Sequence, residues 1–353
     1  MNEFLTSCLS INPICSESYG VRSFCIKVTT PDIHIILDPG CALGPFKQYK
    51  IPHPLEYERL HQFSNEIIRQ SQDCTHIFIS HYHHDHFKPL MEEKKYIHTS
   101  KKIFESLYGN KDKMVFCKQY RNNTNYNQKQ RGLKFHMDLE AYSILSYRIG
   151  VDKILGNTSI YYRNLPTELR KEITDSLVIG ETHLIFPREF QHGIRKDHKE
   201  IFIQPLIIIH KNEFFYFFPD VQGMPLFSDL DVLIKIKKQL NAIYKNFDPY
   251  LDPIHIIALG GPITYILRHQ KLIHLLEQSI SHTHQIIQNF DFTLLDHHLL
   301  RDEMFLKYWK EIHTGNGDLS PFNRNLFSEL ENESSQIPVL ECYREKLYHH
   351  YPL

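Results

Sequence analysis

The sequence predicts a mixed α/β fold, and three observations carry that expectation. β-Branched and aromatic residues cluster between turn signals at 21–29 and 33–37, helical spacing takes over at 54–71, and an apolar run follows at 75–80. That is a β-β-α-β opening. A second set of strand-like runs occupies 176–186, 201–210 and 213–218, with further ones at 254–259 and 290–295. The composition, 42% hydrophobic and 23% charged over 353 residues, is that of a globular chain.

Each element follows from its residues. In the first helical segment Leu55, Leu60, Phe63, Ile67 and Ile68 lie close to one face, and the run Thr75-His76-Ile77-Phe78-Ile79-Ser80 has the length of a buried strand. Residues 96–116 read as short strand, helix and strand. Residues 121–131 are nearly all polar with four Asn, and the weak mixed pattern from 132 to 174 reads as an insertion, either a cap or a plain surface excursion. Downstream of the second strand set, a helix is expected over 226–244. Gly260-Gly261-Pro262 permits a close turn into another helix, which runs on to 287. The polar stretch 315–336 divides a domain of residues 1–313 from a C-terminal loop and peripheral helix at 314–353.

The balance of charge and cysteine excludes several classes. A formal net charge of -1 gives no global positive field to recruit nucleic acid. Lys94, Lys95, Lys101 and Lys102 read as solvated surface charge. Seven cysteines without a C-x-x-C pair read as reduced thiols of a cytoplasmic protein, not a disulfide framework or zinc ribbon. The first 14 residues make a poor signal peptide, and no stretch of about 18 apolar residues offers a membrane span.

The chemistry concentrates in His81-Tyr82-His83-His84-Asp85-His86, directly after the apolar run. In extended backbone, side chains two apart leave on the same side, so His81 and His83 can reach one ion. Asp85 and His86 then follow the turn to a neighbouring ion. Imidazole mixed with carboxylate suits a borderline divalent metal such as zinc better than an oxygen-only calcium or magnesium cage. No thiolate closes the site, so a coordination position can hold water. His84 falls out of the ligand phase and reads as solvent-facing or supporting.

This cluster resembles the signature of the metallo-β-lactamase superfamily. The resemblance implies a four-layer αβ/βα sandwich and further ligands: His192 in Phe190-Gln191-His192-Gly193, Asp220 after the aromatic run ending at Phe218, and His297 or His298 in Leu294-Leu295-Asp296-His297-His298. His297 leads as the first residue leaving the strand. Ile35-Ile36-Leu37-Asp38-Pro39-Gly40 resembles the early strand whose aspartate buttresses the site, which makes Asp38 a partner for a ligand histidine; a simple turn aspartate is the alternative. Together with Glu17-Ser18-Tyr19-Gly20-Val21-Arg22, Ile51-Pro52-His53-Pro54, Asn123-Thr124-Asn125, Asp220-Val221-Gln222-Gly223, Gly260-Gly261-Pro262 and His298-Leu299-Leu300-Arg301-Asp302, these segments are similar to one mainly archaeal family of metallo-hydrolases within that superfamily. The chain departs from that family in Gln191 before His192 and in Phe218-Pro219 before Asp220.

The resemblance implies a dinuclear metal-dependent hydrolase. His81, His83 and His192 would hold one ion and Asp85, His86 and His297 or His298 the other, with Asp220 and a hydroxide bridging them. Zinc is the expected metal, with iron or manganese as alternatives. Two divalent ions less two carboxylates leave about +2, or about +1 once a bridging hydroxide is present, which favours an anionic phosphodiester or nucleotide-like substrate. Arg301, Arg195 and Arg22 are candidates for its recognition, and His53 and Gly261 for lining its pocket. A thioester or amide hydrolase on the same site, an iron-dependent redox enzyme and a non-catalytic metal-binding module are the competing expectations.

Overall fold

The computed structural model describes residues 4–5, 8–16, 21–43, 54–152, 165–192, 201–211, 213–218, 255–259 and 293–296. They form two mixed sheets. The first runs in chain order through β1 (Phe4–Leu5), β2 (Ser10–Ser16), β3 (Phe24–Thr29), β4 (His34–Leu37), β5 (His76–Ile79), β6 (Met114–Cys117) and β7 (Leu145–Arg148). Its first four strands are antiparallel and β4 to β7 are parallel.

Parallel strands need crossovers, and α1 (Pro54–Ser71), α2 (Lys101–Tyr108) and α3 (Tyr126–Ala141) supply them. Proline suits the first position of α1, where no backbone donor is needed. Ser100 caps α2 by accepting from the Ile103 amide, and Asn125 caps α3 by accepting from the Gln128 amide.

The two faces of the first sheet are sorted residue by residue. Ile36, Ile77, Ile79, Val115 and Cys117 join a core with Leu60, Phe63 and Ile67 of α1, Phe104 and Leu107 of α2, and Phe135 and Leu139 of α3. The alternate residues Ile35, Leu37, Phe78 and Phe116 turn the other way, against Leu184, Phe186, Leu206, Ile208, Phe215 and Phe217. Those belong to the second sheet.

That sheet comprises β8 (Ile173–Ile179), β9 (Thr182–Pro187), β12 (Leu206–His210), β13 (Glu213–Phe218), β14 (His255–Leu259) and β15 (Thr293–Asp296), in the order β15-β14-β13-β12-β9-β8. A small ribbon, β10 (Phe190–Gln191) with β11 (Phe202–Ile203), stands beside it, and the short α4 (Thr167–Arg170) precedes it. Ile207 and Ile209, on the face of β12 turned away from the first sheet, are also fully buried. A sandwich with a further layer over the second sheet requires that. The helices expected there, at 226–244 and from 262 to 287, lie outside the described residues.

Three readings change. The run at 201–210 is two strands, β11 in the ribbon and β12 in the second sheet. The run at 176–186 is not one strand, because Gly180, at φ 59°, turns the chain from β8 into β9 with Ile179 paired to Thr182. The segment 132–174, read as an insertion, supplies most of α3, then β7 and the start of β8; up to residue 152 it is built into the first sheet, and 153–164 lie outside the described residues. The boundary near 313 and everything after it lie outside them too.

Candidate metal centre

Four strands of the second sheet share one direction. β9 and β13 are both antiparallel to β12, and β14 and β15 run parallel to β13 with Phe218 level with Leu259 and Leu259 level with Asp296. All four therefore end at one edge. The chain continues from β9 through β10 to His192, from β13 to Asp220 two residues on, from β14 to Gly260-Gly261 and from β15 directly to His297-His298. In the first sheet β4 and β5 are likewise parallel, with Leu37 level with Phe78, so Asp38 and the 80–86 segment leave side by side.

The Asp38 carboxylate is fully buried between them. Its Oδ1 accepts the Ser80 amide at 2.7 Å, and its Oδ2 accepts both the Ser80 hydroxyl and the Nδ1–H of His86, the latter at 2.8 Å. Burial raises its pKa, against the pull of His86 and of the Ser80 donors. Asp38 adopts φ 46°, a left-handed conformation that few residues besides glycine take without cost. Two residues on, a Cβ on Gly40 would lie 2.2 Å from the Phe87 amide nitrogen, so only glycine lets this turn press against the 86–87 backbone. Asp38 thus sits in a turn and also holds the Ser80 amide and hydroxyl and the His86 ring.

The imidazoles gather on this support. The Ser80 hydroxyl, having given its hydrogen to Asp38, accepts from Nδ1 of His81 at 3.0 Å, which leaves the His81 Nε2 lone pair for a cation. That Nε2 lies 2.9 Å from Nδ1 of His83. Two nitrogens bound tetrahedrally at about 2.0–2.1 Å from zinc would stand about 3.3 Å apart, close to this spacing. His192, fully buried and held by its amide to the Ile201 carbonyl at 2.8 Å, closes the group, with its ring 5.2 Å from that of His81 and 4.9 Å from that of His83. One donor atom from each of His81, His83 and His192 lies within 4.8 Å of the others, and the same holds for Asp38, His81 and His86. Neutral imidazoles with neighbouring carboxylates fit a borderline divalent ion.

Asp85, buried at 5% exposure, has its Oδ2 3.9 Å from Nε2 of His86 and 2.9 Å from Nη2 of Arg22. Arg22, a candidate for substrate recognition, is therefore engaged with a candidate ligand. Arg131 feels the charges of both Asp85 and Arg22, and burial lowers its pKa. His84 is not solvent-facing: it is half-buried with its ring 5.7 Å from that of Phe87, and burial pushes its pKa down to about 3. Asp220, His297, His298, Arg301, His53, Gly261 and Arg195 lie outside the described residues.

Supporting residues missed by the sequence reading tie the two sheets at this edge. The Gln204 amide donates to the Ser80 carbonyl at 3.0 Å, and Lys118 pairs with Glu189 at 2.8 Å, joining the end of β6 to the segment before β10. Burial lowers the pKa of Lys118 and raises that of Glu189. Tyr82, pointing into the helical core, gives its amide to Oε1 of Gln128 at 2.7 Å and its hydroxyl to the Lys118 carbonyl. A glutamine at the third helical position often reaches back to its own cap. Asn125-Tyr126-Asn127-Gln128 carries a helix-start pattern that the polar reading of 121–131 passed over, and nothing in it announces the bond to the 81–86 segment.

No family model matches the chain. Among curated proteins it is 29% identical over 345 residues to a UPF0282 protein of Sulfurisphaera tokodaii, covering 96% of this chain and 93% of the relative. A UPF0282 protein of Korarchaeum cryptofilum is 26% identical over 98% of this chain and 96% of its own length. Among solved structures, the metallo-β-lactamase fold protein YhfI of Bacillus subtilis aligns with 82% of this chain and 96% of its own at 9% identity and TM-score 0.33. Unliganded yeast PDE1 aligns with 82% and 98% at 10% identity and TM-score 0.35. The fold assignment rests on the strand order and the face-to-face sheets, not on these superpositions. A UPF0282 protein of Methanocaldococcus jannaschii is 31% identical over 301 residues, 84% of this chain and 86% of its own length, and on that extent of likeness the chain belongs to the UPF0282 family.

Proposed function

We propose that this protein is a dinuclear divalent-metal-dependent hydrolase of the cytoplasm, using zinc foremost, with a phosphodiester or nucleotide-like anion as substrate. The observation that carries the reading is the convergence of His81 and His83, after β5 of the first sheet, and His192, after the β10 ribbon strand, on one small volume. Such a constellation is held by its scaffold before any ion arrives, and such preorganisation is what ion-assisted hydrolysis needs.

Bound divalent ions would supply Lewis acidity and bring the pKa of water near neutrality. The protein's own groups do the rest. Ser80 and Asp38 fix the tautomers of His81 and His86 so that both Nε2 atoms remain available. Asp85 would serve as a ligand of the second ion and a proton acceptor, with Arg22 paired to the same Oδ2 that faces His86. Asp220 and His297 or His298, which follow β13 and β15 in the sequence, would complete the donor set. The anionic substrate follows from charge: two divalent ions less two carboxylates leave about +2, and the guanidinium groups of Arg22 and Arg131 stand beside Asp85.

The test is metal quantification on the purified protein followed by a substrate panel of phosphodiesters, thioesters and cyclic amides. Two zinc equivalents in the centre and phosphodiester turnover are expected. Thioester turnover alone overturns the substrate class. Iron with oxygen consumption, or a loaded centre with no turnover of any substrate, overturns the hydrolase.

A further inference from the structure

A second group of donors stands apart from this centre, on the outer face of α1. His61 is exposed there, between the buried Leu60 and Phe63 that anchor the helix to the core. Opposite it, the chain makes a tight turn closed by the Lys94 amide to the Ile97 carbonyl at 3.1 Å and the Ile97 amide to the Lys94 carbonyl at 2.9 Å. Glu93 and His98 flank that closure, so they stand across from each other, with Nδ1 of His98 2.5 Å from Oε1 of Glu93. The turn is pinned from beneath. The buried Lys88 ammonium donates to the His98 carbonyl at 3.0 Å and to the Ser64 hydroxyl of α1 at 2.7 Å, and the Leu43 amide donates to the Tyr96 carbonyl at 2.8 Å.

This backing brings the His98 ring to 4.1 Å from that of His61, and one donor atom from each of His61, Glu93 and His98 lies within 4.8 Å of the others. We propose that these three side chains form a second metal site, selective for zinc and similar borderline divalent ions, which clamps α1 to the 93–98 turn. Two imidazoles and a carboxylate are a donor set that zinc accepts, leaving a fourth position open, whereas calcium and magnesium demand more oxygens. Two of the three donors, His61 and Glu93, line a surface cavity of 610 Å³ together with Tyr57, Leu60, Lys94 and Lys95. A divalent ion less the Glu93 charge leaves about +1, and Lys94 and Lys95 add to it, so the open position takes water or a small anion. No residue is shared with the hydrolytic centre, and the inference stands whether or not that centre hydrolyses anything.

Zinc stoichiometry decides it without reference to activity. Equilibrium dialysis at rising zinc concentration, with cobalt(II) absorption as a second probe, is run on the wild type, the double variant His61→Ala/His98→Ala and the double variant His81→Ala/His192→Ala. Circular dichroism verifies that each is folded. The surface variant is expected to bind one equivalent fewer than the wild type, and the centre variant to keep that equivalent. Zinc added to the centre variant should also raise its Tm and shift the imidazole proton resonances of His61 and His98. Equal stoichiometry in the wild type and the surface variant at every concentration overturns the proposal, as does a centre variant that binds no zinc.

Discussion

The two histidine clusters use the same donors, and the segment from 81 to 98 contributes to both, yet they are built differently. His81, His83 and His192 are gathered at strand ends, and the adjoining Asp38 to His86 contact is buried; His61 and Glu93 stand in solvent, brought near His98 by the packing of α1 on the 93–98 turn over Lys88. His81 and His192 are buried and His83 is half-buried, so the inner donors are largely confined before an ion binds. The outer donors must still be ordered by the ion, at a cost of up to about 2 kcal/mol for a long side chain such as glutamate. The comparison teaches that support, not donor type, separates a centre from a surface site.

Removing an inner donor should produce the largest effect. His192→Ala is expected to reduce zinc affinity by more than the roughly 10–100-fold typical of losing a supporting contact, and to abolish turnover, as measured by competition with a chelator. A His192→Ala protein that keeps both its zinc and its activity would break the contrast outright.

Next comes the buried bridge that draws the two sheets together at the site. Lys118→Met leaves Glu189 charged and enclosed, and should cost about 3–5 kcal/mol in denaturant unfolding. Lys118→Met/Glu189→Leu should recover most of that loss, and no recovery would show that the pair matters for something other than its charges.

Asp38→Asn keeps the shape and removes the charge that orients His86. Zinc affinity is expected to fall about 10–100-fold and unfolding to cost about 1–3 kcal/mol, because the amide NH2 faces a donor of Ser80 or His86.

A smaller effect concerns histidines outside both clusters. Burial pushes His76 and His136 from 6.5 down to about 4, so the unfolded chain takes up their protons first as pH falls. Stability is complete above 6.5 and declines toward 4, by about 1 kcal/mol for each at pH 5.5. His76→Gln should flatten the denaturation midpoint between pH 7 and 5.5; an unchanged slope counts against the buried, neutral state. Smallest of all, Glu93→Gln without added zinc should move stability by less than about 0.5 kcal/mol, since its side chain is exposed.

How legible these features were depends on the distance over which their cause acts. β5 and the cluster after it could be read because alternation and i, i+2 spacing are local, and α1 was readable to its ends because a proline opens it and one apolar face runs its length. β7 was not, since Leu145 and Ser146 are exposed on an edge strand and give no alternating signal. The Gly180 turn was hidden inside an apolar run that only its left-handed backbone divides. The Arg22 to Asp85 and Lys118 to Glu189 pairs join residues far apart in sequence, and nothing in either neighbourhood announces the partner. His61, Glu93 and His98 read as ordinary surface residues, and only the packing of a helix on a turn makes them neighbours.

The shared edge at which β5 and β9 deliver their histidines also sets a timetable. The ribosome releases the 81–86 hairpin well before His192, so a nascent chain presents an incomplete set of imidazoles. Such a partial set lacks the geometry that discriminates among divalent ions, and copper heads the general order of their affinities. The set of His81, His83 and His192 exists only once the two sheets have packed on each other.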